Sequence, residues 1–447
     1  MSDQYLSAAS PARRLLGFSI PIFFTNFLQV FYALTDMAVV GRFTGEIGLA
    51  AIANGAIITY LIGSVGTGLA VGGAVVIGHY KGAANVDGQR ESLISLLFLS
   101  SLAATIIAPF GLIYAREIFG LLNVAAEVLP EAADYLFIIT LGLPLFFWGT
   151  ALSFALRSLG DARGPLFFMV VGGVINVVLD LILVGPLKFG VAGAAVATVA
   201  AQAGAQAFAA FYLKKQGPVF DFRRPCSSLR PHQLRRILRL GLPTVAQLVM
   251  INLSYLAITV LINGYGVVTA AAAGVGLRIC TLAVMPCWAV GQALTAMAAN
   301  SLGAGDLKDA EALGRAALRL NLLVTALVVS AVQLAARSLM AFFNPGDLAV
   351  VEAGVTYLRV CCSLGVLIYA AMYTFNSLAT GAGAASAAML NSLLDSFLMR
   401  LILIWLISQA GYGLLAIYLG QALSAFLPAL LGGAYFYSRL WQRKRVI

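Results

Sequence analysis

Asp36 stands near the far end of an apolar stretch, Leu15 to Val40 (LLGFSIPIFFTNFLQVFYALTDMAVV), that contains no Lys or Arg. An ionisable group inside such a run is a functional-site hypothesis by default. Asp at the centre of a membrane span costs roughly 2.5 to 3.5 kcal/mol, which depth, water or a partner group must offset. The partner on offer is Asp180, the last residue of NVVLD at 176–180. Counted from Gly41 and Gly185, the glycines closing their stretches, both acids lie roughly 8 Å below one membrane boundary. Asn176 lies roughly 13 Å below it and Thr198, counted from Gly190, roughly 12 Å. Asn176 and Asp180 are four apart and share a helix face, as do Tyr32 and Asp36. Two carboxylates in an apolar, partly dehydrated site should not both stay ionised and unpaired: a proton remains on the pair or a cation binds between them. If the ion is Na⁺, Asp36, Asn176, Asp180 and Thr198 supply oxygen ligands, with backbone carbonyls completing a hard-cation shell. The plainer reading makes these residues hydrogen-bonded packing features.

The elements that must position these groups are membrane spans. The 447 residues are 61% hydrophobic and 10% charged, with mean hydropathy +0.94, too apolar for a soluble domain of this size. Apolar stretches recur at about 15–40, 47–78, 92–115, 132–155, 165–185, 190–213, 237–262, 268–300, 315–341, 355–380, 386–408 and 413–437. The expectation is an all-α integral membrane protein with twelve transmembrane helices. Strands of a transmembrane barrel would instead show ten-residue segments of alternating polarity. No small-residue cleavage site follows a short apolar core at the N-terminus, so a removed signal peptide is not expected. Most of the 28 Lys and Arg fall in the loops on the side of the N-terminus. That bias puts both termini in the cytoplasm, makes the net charge of +10 a topology signal, and argues against a nucleic-acid partner. The expected location is a prokaryotic cytoplasmic (inner) membrane, with lipid and small organic substrates as partners and a monomeric chain.

The spans repeat. A shift of 222 places Pro21 on Pro243, Ala50-Ala51 on Ala272-Ala273, and Tyr135-Leu136 on Tyr357-Leu358. A recurrence at half the length, with six spans per copy, is a parallel duplication of the kind transporters use. The expected domains are an N-lobe at 1–213, a cytoplasmic linker at 214–236 and a C-lobe at 237–447, flanking a central V-shaped cleft. Pro21 and Pro243 interrupt the first span of each copy, where each helix can bend or carry a packed static kink.

The acids do not repeat: Asp36, Asp180 and Thr198 map to Ile258, Ile402 and Gly420. The second half carries Asp395 and Arg400, five apart and only loosely on one α-helical face, and Arg278; a charge pair and a lining role are both open. Phe147, Trp148 and Phe154 are weak candidates for lining a substrate cavity. Five cysteines show neither metal spacing nor a disulfide framework, and the two histidines, His79 and His232, fall in loops. With no GxxxxGK[ST] and no assembled Ser/His/Asp set, neither ATP-driven transport nor an enzyme is expected, and no cofactor beyond a coupling ion.

Together, PIFFTNFLQVFYALTDMAVVGRFTG in the first span, RSLGDARGP at 157–165, NVVLD at 176–180 and the six-plus-six duplication resemble the multidrug and toxic compound extrusion family. The first-span Asp, the Asn-x-x-x-Asp of span five and a Thr eighteen residues later are similar to its prokaryotic branch named for DNA-damage-inducible protein F. The resemblance implies an antiporter, coupled to H⁺ and/or Na⁺, that exports amphipathic, often cationic, organic compounds by alternating access. Asp36, Asn176, Asp180 and Thr198 then match the branch's N-lobe cation site, with Tyr32 and Pro21 beside it. The family's sodium-coupled branch uses acids in spans seven and ten, where this chain has Gln247, Asn252 and Asn376. A lipid-linked oligosaccharide flippase of related architecture is the alternative; it would line the cleft with cations, for which only Arg278 and Arg400 are available. A non-transporting receptor or scaffold leaves the duplication unexplained.

Overall fold

The computed structural model describes residues 10–122, 124–214, 218–220, 229–343, 346–444 and 446–447. Among them every long element is a helix, as a chain in lipid requires: with no water to satisfy N–H and C=O groups, the backbone must close its own hydrogen bonds. Helix α1 runs Pro11–Gly82, α2 Val86–Ile113, α3 Ala115–Leu121, α4 Leu129–Leu141, α5 Leu143–Ser158, α6 Arg163–Leu183 and α7 Gly190–Leu213. The second copy follows as α8 Pro231–Asn263, α9 Val267–Gly303, α10 Leu307–Phe343, α11 Leu348–Cys361 and α12 Leu364–Gly381. It ends with α13 Ala385–Leu393, a π-helical turn Leu394–Met399, α14 Arg400–Gln409, α15 Leu414–Leu423 and α16 Phe426–Tyr437.

Nine helices or helix runs among the described residues are long and apolar enough to cross a membrane, and two bent pairs raise the number to eleven. The 72-residue α1 is far longer than one span needs and breaks at Gly45, where φ is +71°. Counted as two spans, it brings the total to the expected twelve. The turn was anticipated at Gly41; the backbone stays helical until Gly45, which alone in that stretch adopts the left-handed region without a Cβ clash. It also stays helical through Pro21 and Pro243. Spans four and ten, expected as single helices, are each broken: α4 meets α5 at 54° and α11 meets α12 at 46°. Side-chain hydroxyls along the spans, such as Ser19, Thr35, Thr44 and Thr140, donate to the carbonyl four residues back and so need no other partner in lipid.

The chain forms two compact units, Phe24–Val245 and Met1–Phe23 with Ala246–Ile447. In the first, the start of α8 lies against the second half of α1. A Cβ on Gly72 would stand 2.5 Å from the Gly241 nitrogen, and one on Gly68 2.5 Å from that of Val245. Gln233 donates to the Tyr80 hydroxyl at 3.0 Å, and Arg236 donates to the same oxygen. In the second unit, the start of α1 is held by Arg14, which donates to both carboxylate oxygens of Asp309 at 2.7 and 3.2 Å; Ser301 donates to Asp309 at 2.6 Å. Arg14 and Arg236 are 222 apart, so each copy's first helix begins by docking on the other copy's helices. Of the stretch 214–236 expected as a linker, 215–217 and 221–228 lie outside the described residues, Cys226 among them, and Pro231 onward is helical.

The duplication is visible in packing. The Tyr135 ring fills the space over Gly55, where a Cβ would come within 2.5 Å of it, and Tyr357 fills the space over Gly276 at 2.3 Å. Small residues at such crossings let helices approach in the absence of a hydrophobic drive between them.

Candidate functional site

The first unit gathers its polar side chains on the inner faces of α1, α6 and α7. On α6, Asn176 and Asp180 are fully buried while Val174, Val178 and Leu181 are exposed, the reverse of a soluble amphipathic helix. On α1, Asp36 is buried while Phe31 and Leu34 point outward. The carboxyls of Asp36 and Asp180 lie within hydrogen-bonding reach of each other. A carboxylate has no hydrogen to donate, so this contact becomes a bond only when the pair holds a proton. Without it, Asp36 Oδ1 and both Asp180 oxygens have no donor among the described residues. Asn176 Nδ2 donates to Thr198 Oγ1 at 3.4 Å, and the Tyr32 hydroxyl lies near Thr198. The expected set Tyr32, Asp36, Asn176, Asp180 and Thr198 is thus brought together. Nine residues, or roughly 13 Å of helix, separate Asp36 from the break at Gly45.

Tyr135 of α4 completes the site and was not singled out as a site residue in the sequence. It lies close enough to Asp36, Asp180, Tyr32 and Tyr60 to interact with them electrostatically, and it is 6% exposed. The available signal was its recurrence as Tyr357 at the repeat distance. The arrangement is a cluster of oxygens around two buried acids, the donor chemistry that binds a proton or a hard cation. The residues present fit Na⁺ in oxygen type, since carboxylates, an amide carbonyl and hydroxyls are its usual donors.

The remaining candidates lie elsewhere. Phe147 is fully buried against Gly66; Trp148 donates its indole N–H to Ser101 at 2.8 Å; Phe154 lies 5.1 Å beneath the Arg157 guanidinium. The RSLGDARGP stretch is a helix start. Asp161 accepts from the backbone nitrogens of Arg163 and Gly164 at 2.9 Å each, and from the Tyr212 hydroxyl at 2.7 Å.

In the second unit, the amides of spans seven and ten converge on one hydroxyl. Gln247 and Asn376 donate to Ser392 at 2.8 and 3.1 Å, and Asn391 donates to Asn376 at 2.8 Å. Asn252 lies on α8 with Gln247, and Arg278 is exposed on α9. Asp395 and Arg400 do pair, with Nη2 3.5 Å from Oδ2 and both buried. An α-helix turns five residues apart past one another, but the π-helical turn at Leu394–Met399 brings i and i+5 into line.

The helical membrane-spanning chain, with a duplicated six-span unit and a buried pair of acids in the first copy, defines a polytopic membrane protein of the transporter type. The MatE family pattern matches residues 21–182 and again 243–406, a spacing of 222 between the two starts. The chain therefore belongs to the MatE family. "Probable multidrug resistance protein YoeA" of Bacillus subtilis (strain 168) is 26% identical over 347 residues, 76% of this chain and 75% of that protein. "Probable multidrug resistance protein NorM" of Thermotoga maritima is 22% identical over 440 residues, 97% of this chain and 94% of that protein. A solved structure described as the outward-facing conformation of a multidrug resistance MATE family transporter of the MOP superfamily shares the fold. Its TM-score is 0.90 at 22% identity, covering 97% of each chain.

Proposed function

We propose that this chain is a secondary antiporter of a prokaryotic cytoplasmic membrane, acting as a monomer with both termini inside. It exports amphipathic organic cations in exchange for H⁺ or Na⁺. The observation that carries the reading is the Asp36–Asp180 contact, two buried carboxyls in mutual reach inside a membrane helix bundle with no donor to spare. Such a pair is unstable without an added positive charge, and a proton, a Na⁺ or an organic cation can each supply it. Exchange follows if ion and substrate prefer different conformations, because coupling requires differential affinity. In this reading Asn176, Thr198 and Tyr32 orient the acids, bending near Pro21 or Gly45 changes access to them, and the six-span lobes 1–213 and 237–447 alternate. Membership of the MatE family and the names of its relatives support drug-like cargo. No nucleic acid and no cofactor other than the ion is required.

The test is efflux of a fluorescent organic cation from proteoliposomes under a proton gradient and a Na⁺ gradient imposed separately, with Asp36→Asn and Asp180→Asn alongside. Flux driven by either gradient in the wild type and lost in both variants is expected. Gradient-driven flux retained by the variants would remove the acids from the mechanism.

A further inference from the structure

The second unit contains a largely apolar cavity, with a buried ion pair on its wall, that the N-lobe coupling scheme does not use. It occupies about 170 Å³ and is lined by Tyr255, Trp288, Tyr369, Asp395, Arg400 and Ser424 among others. Its helices are α8, α9, α11, α12, α14 and α15 with the π-turn, and α8, α14 and α15 correspond by the 222 shift to spans one, five and six, which build the acid site of the first unit. Gly365 keeps one wall thin: a Cβ there would stand 2.2 Å from the Ala422 carbonyl oxygen.

The guanidinium of Arg400 is the distinctive group. Arg400 is 5% exposed. Nη1 donates to Ser254 at 3.1 Å, and Ser254 in turn donates to the Ser396 carbonyl in the π-turn. Nη2 reaches Asp395 only at the long distance of 3.5 Å, and Nε has no acceptor among the described residues. The charge lies 5.3 Å from the centre of the Tyr255 ring. Asp395 has a better partner in the Ser424 hydroxyl at 2.7 Å. A purely structural ion pair would use the planar fork of Arg for two short bonds to the carboxylate. Here the fork is held by its neighbours, Nε is buried without an acceptor among the described residues, and the guanidinium lies on the wall of a cavity with three aromatic side chains.

We infer that this cavity is a binding site for a single aromatic ring bearing an anionic group, a carboxylate or phosphate ester, whose charge docks on Arg400. Size fits the class: a cavity of roughly 150 Å³ in another protein takes benzene, so about 170 Å³ holds one ring with its acid group. The ring meets Tyr255, Trp288 and Tyr369, and the anion replaces Asp395 at the guanidinium while Asp395 stays bonded to Ser424. The inference does not rest on the proposed cation coupling, because it concerns equilibrium binding without a gradient.

The experiment is calorimetric titration of the purified full-length protein with three probes of one shape and different charge: benzoate, benzamide and benzamidinium. Benzoate is expected to bind about tenfold or more tighter than benzamide, the range of a charge-assisted hydrogen bond, with benzamidinium weakest. Asp395→Asn removes the competitor for Arg400 and is expected to tighten benzoate. Arg400→Gln alone strands a buried acid and could fail to fold, so the Arg400→Gln/Asp395→Asn double variant keeps the shape without either charge; it is expected to lose the preference for benzoate. No saturable benzoate binding by the wild type, benzamide binding as tightly as benzoate, or a double variant that still prefers benzoate would each overturn the site.

Discussion

Asp36→Asn should stabilise the protein while abolishing coupled flux. In the wild type, three carboxylate oxygens of the pair, Asp36 Oδ1 and both of Asp180, have no donor among the described residues. A buried polar atom left without its partner costs about 1 to 3 kcal/mol. The asparagine amide is nearly isosteric and carries N–H donors within reach of Asp180, so it replaces the shared proton permanently and removes one of the two charges. The expected gain is about 1 to 3 kcal/mol, a melting shift of a few degrees. Its sign with pH follows from linkage: where the wild-type pair already holds its proton the variant gains little, and the gain grows as pH rises and the pair must ionise or cling to the proton. The assay is thermal unfolding of both proteins in the same detergent across a pH series, paired with gradient-driven efflux. A variant less stable than wild type at every pH would mean that the Asp36 carboxylate serves the fold, and the argument from strained acids would be wrong.

Three further outcomes are expected. Thr198→Val removes the hydroxyl that accepts from Asn176; unfolding should show a loss of about 1 kcal/mol, and efflux a lower apparent affinity for the organic cation. Gly276→Ala puts a Cβ 2.3 Å from the buried Tyr357 ring and should cost about 1 to 3 kcal/mol, whereas Gly17→Ala, in a helix with nothing within 4 Å, should be neutral or gain up to about 1 kcal/mol. Gly45→Ala meets no atom yet must hold φ at +71° and ψ at −154°, a backbone region essentially reserved for glycine, so its cost should be the conformational one alone, about 1 to 3 kcal/mol by thermal unfolding.

Much of this architecture was legible in the sequence because lipid imposes it. Spans are long and uncharged, and the 222 shift that aligns Pro21 with Pro243 is the spacing at which the family pattern recurs. Four of the clustered polar groups were legible because Asn176 with Asp180 and Tyr32 with Asp36 obey α-helical periodicity. What stayed hidden depends on departures from that periodicity or on contacts between distant segments. The break at Gly45 rather than Gly41 turns on a single left-handed residue among several glycines that could have supplied it. The Asp395–Arg400 pair needs a π-turn, which apolar spacing does not announce. Tyr135 joins the acids from a span about a hundred residues away, and no local pattern points there. The docking of Arg14 on Asp309 and of Arg236 on Tyr80 joins residues of opposite copies and had no local signal either.

The central claim is that ion and organic cation occupy the Asp36–Asp180 pair in exchange. It is tested most directly by adding tetraphenylphosphonium to the purified protein in weak buffer and measuring the protons released, with radiolabelled Na⁺ displacement measured in parallel. Ion release by the wild type in step with tetraphenylphosphonium binding, and none from the Asp36→Asn/Asp180→Asn double variant, is the predicted result. Binding without release of either ion, or equal release from the double variant, would contradict it.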